Sequence, residues 1–347
     1  MVRRAAPVLL TAVVLSASVR AASPPGSDLA PELYRLLTTD LKFSTNDLED
    51  LEAGKAVKHT LPPTSAGEVA AVGGIRIRST KERFLAAYRD IVRFKRGPSV
   101  LQIGRFSNPP ALADLDGLSI TGDDMDLRDC RLRDCSIRLP ADGIRRFEKE
   151  IDWNKPDADA KAAALFKQML FENVHAYTAG GPGRMTQYDD DNLPVMPVQD
   201  FQALLKSSPY IETVRPGLGA HLAGYPAEPM AGAEDFLYWS KEKFGFAPFI
   251  SVTHVTLAPA GPHEYIATTR DVYSSRYFDA SLALVIASDS VSDPHAFYLF
   301  YVNRSRASAL RGAFARIRRS IVERRVRGSL DENLRDVKQR LEQLGSN

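Results

Sequence analysis

His254 lies in the run Ser251-Val-Thr-His-Val-Thr256, where strand alternation places it on one face with Val252 and Thr256. An imidazole flanked by small side chains suits the head group of a bound molecule, and it equally suits a satisfied histidine in a packed core. Arg270 follows Thr268 on one strand face, and Arg105 follows Leu101 and Ile103 on another. An arginine turned into an apolar interior needs an anion, which is either a side chain or a ligand carboxylate or phosphate. Pairing with a surface acid is the plainer alternative. Tyr273, Tyr277, Tyr298 and Tyr301 combine apolar bodies with polar tips, as pocket walls and ordinary cores both do. The expected ligand contacts are therefore Arg105, His254, Arg270 and Tyr277 at a head group, with Tyr273 and Tyr298 as walls.

Catalysis has no comparable signature. There is no Gly-x-Ser-x-Gly elbow, Walker loop, complete Gly-x-Gly-x-x-Gly or His-Glu-x-x-His. Triads assemble in space rather than along the chain, so His254 or His175 working with Asp271 or Glu172 is kept as an enzymatic alternative. Glu172 and His175 form a single Glu-x-x-His pair where a di-iron centre takes two. Asp189-Asp-Asp-Asn192 lacks the glycine and distal glutamate of a calcium loop and reads as a solvated turn. No metal set and no cofactor is expected.

The elements that must hold these residues are legible mainly at the C-terminal end. Ala296 to Asn303 is aromatic and β-branched, as strands prefer, and runs into a helix expected from Ala309 to Leu344. Leu310, Phe314, Ile317 and Ile321 form a stripe that resumes after Gly328 as Leu330, Leu334, Val337, Leu341 and Leu344. Burying these side chains at ~1.5 kcal/mol each gives on the order of 15 kcal/mol, so the helix must lie on a sheet. Strands are expected at Lys55 to Leu61, Glu68 to Arg78, Ser99 to Phe106, Phe249 to Leu257, Glu264 to Tyr273, Phe278 to Ala287 and Ala296 to Asn303. Helices are expected at Leu29 to Thr39, after the Ser44/Asp47 capping box, at Thr80 to Phe94 capped by Ser79, and at Asp157 to Tyr177, Val198 to Lys206 and Ala233 to Phe244.

The chain has 347 residues, 44% apolar and 25% charged, enough for one large domain or two modest ones. Arg3-Arg4, the apolar run Val8 to Ala17 and the small residues before Ala21 have the three parts of an export signal. Its removal with Arg3, Arg4 and Arg20 takes the net charge from +2 to −1. The expected location is the periplasm or the exterior, where the two cysteines, Cys130 and Cys135, would form a disulfide. Arg311, Arg318 and Arg325 recur every seven residues on the last helix. This basic face suits an anionic membrane surface or plain solvation, and no nucleic-acid partner is expected.

A strand, then Ser79-Thr-Lys-Glu82 opening a helix that carries Tyr88-Arg-Asp90, and finally strands closing on a long helix together resemble the START-like, or helix-grip, ligand-binding superfamily. The resemblance covers Lys55 to Phe106 and Phe249 to Leu344. It implies a curved antiparallel sheet around the last helix, with an apolar ligand between them. The chain also resembles exported bacterial proteins of no assigned activity. The expected architecture is thus α+β, with a seven-stranded antiparallel sheet packed on a long C-terminal helix. Its parts are a signal peptide at 1–21, a helical segment at 22–54, the sheet and helix at 55–106 and 249–347, and a mainly helical insertion at 107–248. The expected function is binding or carriage of an apolar or amphipathic, lipid-like molecule. A hydrolase-like site between sheet and insertion, or an envelope interaction module, are the alternatives.

Overall fold

The computed structural model describes residues 26–122, 125–244, 247–312 and 315–343. The expected signal peptide, Phe314 and Leu344 lie outside them. In chain order the elements are α1 (Pro31–Arg35), α2 (Thr45–Glu52), β1 (Val57–Leu61), β2 (Glu68–Ile77), α3 (Lys81–Arg89), α4 (Ile91–Phe94) and β3 (Val100–Arg105). The middle contributes α5 (Ala141–Glu150), α6 (Ala158–Gly180), α7 (Pro197–Lys206), α8 (Tyr210–Val214) and α9 (Leu218–Gly224). Then come β4 (Glu234–Phe244), β5 (Ala247–Pro259), β6 (Glu264–Ser274), β7 (Ala280–Asp289), β8 (Phe297–Arg306) and α10 (Ala315–Gln343).

The strands form one antiparallel sheet of eight in the order β1-β2-β8-β7-β6-β5-β4-β3. Residues of both parities are apolar along β2, β5, β7 and β8, so both faces need cover. The inner face buries Ile75, Ile77, Val255, Leu257, Val285 and Leu299 against Phe84, Leu85 and Tyr88 of α3 and Leu330, Leu334 and Leu341 of α10. The outer face carries the rest. Val72, Leu284 and Phe300 pack with α2, α7 and the Leu36–Phe43 segment, and Trp239, Val252 and Tyr273 pack with α5 and α6. The insertion thus lies across the sheet from α10, neither capping nor filling the space beside that helix.

Three expectations are corrected. The segment expected as a helix at Ala233 to Phe244 is the eighth strand. Phe236 and Tyr238 face inward, Leu237 and Trp239 outward, and all four are buried. A short run apolar on both parities carries no period to separate strand from helix. Secondly, α10 continues through Gly328, and its inward stripe is Val322, Val326, Leu330, Leu334, Val337 and Leu341. Ile317 and Ile321 stand one residue, a turn of about 100°, out of that phase and are 61% and 52% exposed. Thirdly, where the resemblance implies a sheet curved around the last helix, α10 lies along β1 and β2 at one edge. Gly73 permits this approach, since a Cβ there would meet Val57 O at 2.8 Å and Leu330 and Leu334 at 3.0 Å.

Local signals elsewhere hold. Ser44 and Asp47 make the reciprocal capping box of α2. The cap of α3 falls one residue later than expected, on Thr80, whose hydroxyl accepts from Arg83 N. Cys130 and Cys135 are disulfide-bonded, and Arg133 N and Cys135 N donate to the carbonyls of Asp189 and Asp190, tying this small loop to the acidic turn. Among the described residues, no helix is long and apolar enough to cross a membrane.

Candidate functional site

Strand register lines up a polar row across the inner face at one end of the sheet. Tyr238 and Ser240 of β4 oppose Thr253 and Ser251 of β5, Thr253 opposes Asp271 of β6, Thr269 opposes Ala283, and Ser281 and Ala283 of β7 oppose Ser305 and Asn303 of β8. Apolar side chains of α3 and α4 fill the other half of this face, whereas α10 is displaced to the β1–β2 edge. The polar half is less fully covered and is the candidate recess. Thr269, Asp271, Ser281, Tyr301 and Asn303 are only half-buried on its floor.

Lys95, which closes α4, reaches into this recess. Its Nζ donates to Glu242 Oε1 at 2.7 Å and to the Tyr238 hydroxyl at 3.3 Å, and Ser240 Oγ donates to the same Glu242 oxygen at 2.6 Å. Burial opposes the charge on Lys95, but Tyr238 and Glu242 outweigh it and hold the ammonium protonated. Burial likewise opposes ionisation of Glu242, and Lys95 more than offsets it. The pair keeps access to solvent, with side chains 28% and 19% exposed.

Asp271 differs from its neighbours. Among the described residues it has no ion-pair partner, and burial, reinforced by Glu242, pushes its carboxyl up to about 7 against the pull of Lys95 and Arg270. Burial also raises Tyr301, to about 12. The recess thus offers a fixed ion pair, the Tyr301 phenol that stays protonated, and an acid that donates a hydrogen bond below neutrality and only accepts above it. At its mouth Phe244, Phe249, Tyr277 and Phe278 form a half-buried aromatic cluster, with Phe244 at 5.3 Å from both Tyr277 and Phe278. On the far side, at the same end of the sheet, stand the half-buried Val322 and Val326 of α10.

No family model, curated protein or solved structure matches this chain. Arg105 is on the inner face but exposed, its guanidinium 4.1 Å over the Phe236 ring and bonded to Arg89 O. Tyr277 stands at the recess mouth, where its hydroxyl donates to Ala247 O at 2.8 Å and accepts from Ala247 N at 3.0 Å, pinning the chain rather than meeting a ligand. The other four face outward. Tyr298 donates to Asp28 at 2.8 Å, and Tyr273 donates to Arg138 O at 3.0 Å.

Arg270 makes no ion pair with a surface acid among the described residues. It is 1% exposed and meets a carbonyl and rings instead: Leu222 O at 3.0 Å, Met185 Sδ at 3.2 Å and the Phe201 ring at 3.5 Å. Its cationic form is disfavoured by burial. His254 is bonded through Nε2 to Asp235 Oδ1 at 3.0 Å and through Nδ1 to the Tyr177 hydroxyl at 2.7 Å. The same Asp235 oxygen receives His221 Nε2 at 3.1 Å and Thr256 Oγ1 at 2.6 Å.

Protonation in this network follows from its acceptors. His221 Nδ1 faces the Glu228 carbonyl at 2.7 Å, which can only accept, so Nδ1 carries a proton. Nε2 then needs a second proton to face a carboxylate, and the bond to Asp235 raises the His221 pKa. Burial keeps His254 neutral. A histidine beside a carboxylate is the arrangement the hydrolase alternative asked for, but the His254 side chain is 0% exposed, with both ring nitrogens engaged. The network clamps β4 and β5 to α6 and α9. Among the described residues no cluster of His, Cys, Asp and Glu is arranged to hold a metal ion.

The groove of about 670 Å³ beside α10 lies on its other flank, between Gly54–Ala56 and the helix end. Its charges are already paired, Lys55 with Asp50 at 2.7 Å and Lys338 with Glu342 at 2.6 Å.

Proposed function

We propose that this protein is an exported binding or carrier protein for an amphipathic small molecule, held on the inner face of a START-like sheet beside the C-terminal helix. One observation carries the reading: a half-buried part of the inner face keeps Lys95, Glu242, Asp271 and Tyr301 beside the sheet, where a structural core would place apolar groups. The polar head meets that floor, and the apolar body lies between the aromatic mouth and Val322 and Val326. The order of strand, helix pair, strands and final helix supports the START-like assignment, and the disulfide supports export.

The test is titration of the chain from residue 22 with the fluorescent amphiphile 11-(dansylamino)undecanoic acid. The proposal expects saturable binding that Thr269→Trp, filling the half-exposed floor, abolishes while the protein stays folded. Absence of saturation, or binding indifferent to that block, would contradict it. Arg316, Arg324, Arg325 and Arg327 are exposed on α10 alongside Ile317 and Ile321, which supports docking of the carrier on an anionic bilayer. Sedimentation with phosphatidylglycerol vesicles, weakened by salt and by Ile317→Asp, is the expected result. Equal sedimentation with phosphatidylcholine vesicles would remove this second proposal.

A further inference from the structure

A second, separate pocket opens in the helical insertion. It holds about 240 Å³ between α5, α6 and the Arg184–Tyr188 segment, and it reaches down to Tyr273 of β6. Cavities of ~150 Å³ accept benzene, so this one fits a substituted single ring. Its inner walls are Leu139, Phe166, Leu170 and Tyr273, all buried.

The inner end carries two polar groups that the fold leaves unused. Tyr188 is 2% exposed, and its hydroxyl has no hydrogen-bond partner; the buried Oδ1 of Asn173 has none either. Asn173 is close enough to lower the pKa of the phenol as a hydrogen-bond donor would, but the contact falls outside good hydrogen-bond geometry. Buried polar atoms are nearly always paired, and two orphans lining one pocket point to a partner that enters from outside. Tyr273 is no part of this deficit, because its hydroxyl is satisfied by Arg138 O.

The rim supplies charge. Arg146 is committed to Glu172 and Glu150 at 2.8 and 3.2 Å, and Asp142 to Arg145 at 2.7 Å. Arg184 is exposed on the rim and makes no ion pair among the described residues. We propose that this pocket binds a monocyclic aromatic carboxylate bearing a ring hydroxyl. The hydroxyl bonds Tyr188 and Asn173 at the inner end, the ring packs against Phe166 and Tyr273, and the carboxylate meets Arg184 at the rim.

The experiment is calorimetric titration of the chain from residue 22 with 4-hydroxybenzoate, and with benzoate and phenol as partial probes. Saturable binding of 4-hydroxybenzoate, about tenfold tighter than either partial probe, is expected for the loss of one well-made bond. Tyr188→Phe should bring 4-hydroxybenzoate down to the affinity of benzoate, and Arg184→Gln should bring it down to that of phenol. Because Tyr188→Phe removes an orphan hydroxyl and no existing bond, the variant should unfold at the same urea concentration as the parent or higher. That control separates lost binding from lost structure. No saturation at millimolar 4-hydroxybenzoate, affinity unchanged by Tyr188→Phe, or a Tyr188→Phe protein that unfolds earlier would each overturn the proposal.

Discussion

Asp271→Asn tests the electrostatics of the recess without changing its shape. In the unfolded chain the carboxyl titrates at its ordinary 3.8, and in the folded recess at about 7. Between those values the folded state holds the extra proton, so this group's contribution to stability falls as pH rises from about 4 to about 7, then stays constant. At about 1.36 kcal/mol per pH unit the full loss is ~4 kcal/mol, and ~2 kcal/mol if solvent entering the recess screens half of it. Asparagine keeps the volume and cannot ionise. The variant should therefore match the parent at pH 4 and exceed its stability by ~2 to 4 kcal/mol at pH 8. Urea unfolding of both proteins at the two pH values and fixed ionic strength measures this, read from midpoints with unchanged slopes. Equal effects at both pH values, or a less stable variant at pH 8, would refute the claim that Asp271 is a buried acid without a cation.

Leu334→Ala should cost about 2 to 5 kcal/mol, because the side chain is 3% exposed on Gly73, whereas Ile321→Ala should stay within about 0.5 kcal/mol; chemical denaturation distinguishes them. Asp235→Asn strands the His221 imidazolium and should cost about 3 to 5 kcal/mol near neutrality. Through the raised His221 that cost is full below its unfolded value of 6.5 and fades as pH rises past its folded pKa. Through the lowered Asp235 it fades as pH falls from 3.8 toward that group's folded pKa, so denaturation against pH should show a loss that shrinks at both extremes. Reduction of Cys130–Cys135, which closes a loop of five-residue separation, should cost only roughly 2 kcal/mol in a melt with and without reductant.

The period-2 signal was strong enough to find seven of the eight strands, and the capping box of α2 stood in the sequence as it stands in the fold. β4 was hidden because Phe236, Leu237, Tyr238 and Trp239 are all apolar. With it went Glu242 and Tyr238, half of the recess. Face assignment failed for a different reason. Sequence alone does not say whether His254, Arg270, Tyr273 and Tyr298 face inward or outward, because a sheet covered by helices on both faces gives each parity an apolar setting. Tyr301, out of phase with Tyr298, faces the recess instead. Lys95 carried no local signal at all, since its role depends on the turn after α4 meeting β4 across 147 residues of chain. The buried stripe of α10 stands one residue out of phase with the pattern that begins at Ile317 and Ile321, because these two are apolar yet exposed.

Backbone NMR of the chain from residue 22 during titration with 11-(dansylamino)undecanoic acid locates the bound amphiphile. Occupation of the recess gives saturable shifts concentrated at Thr269 to Asp271, Ser281 and Tyr301 to Asn303, with weaker ones at Val322 and Val326. Shifts confined to the insertion or to the groove beside Lys55, or none at all, would contradict it.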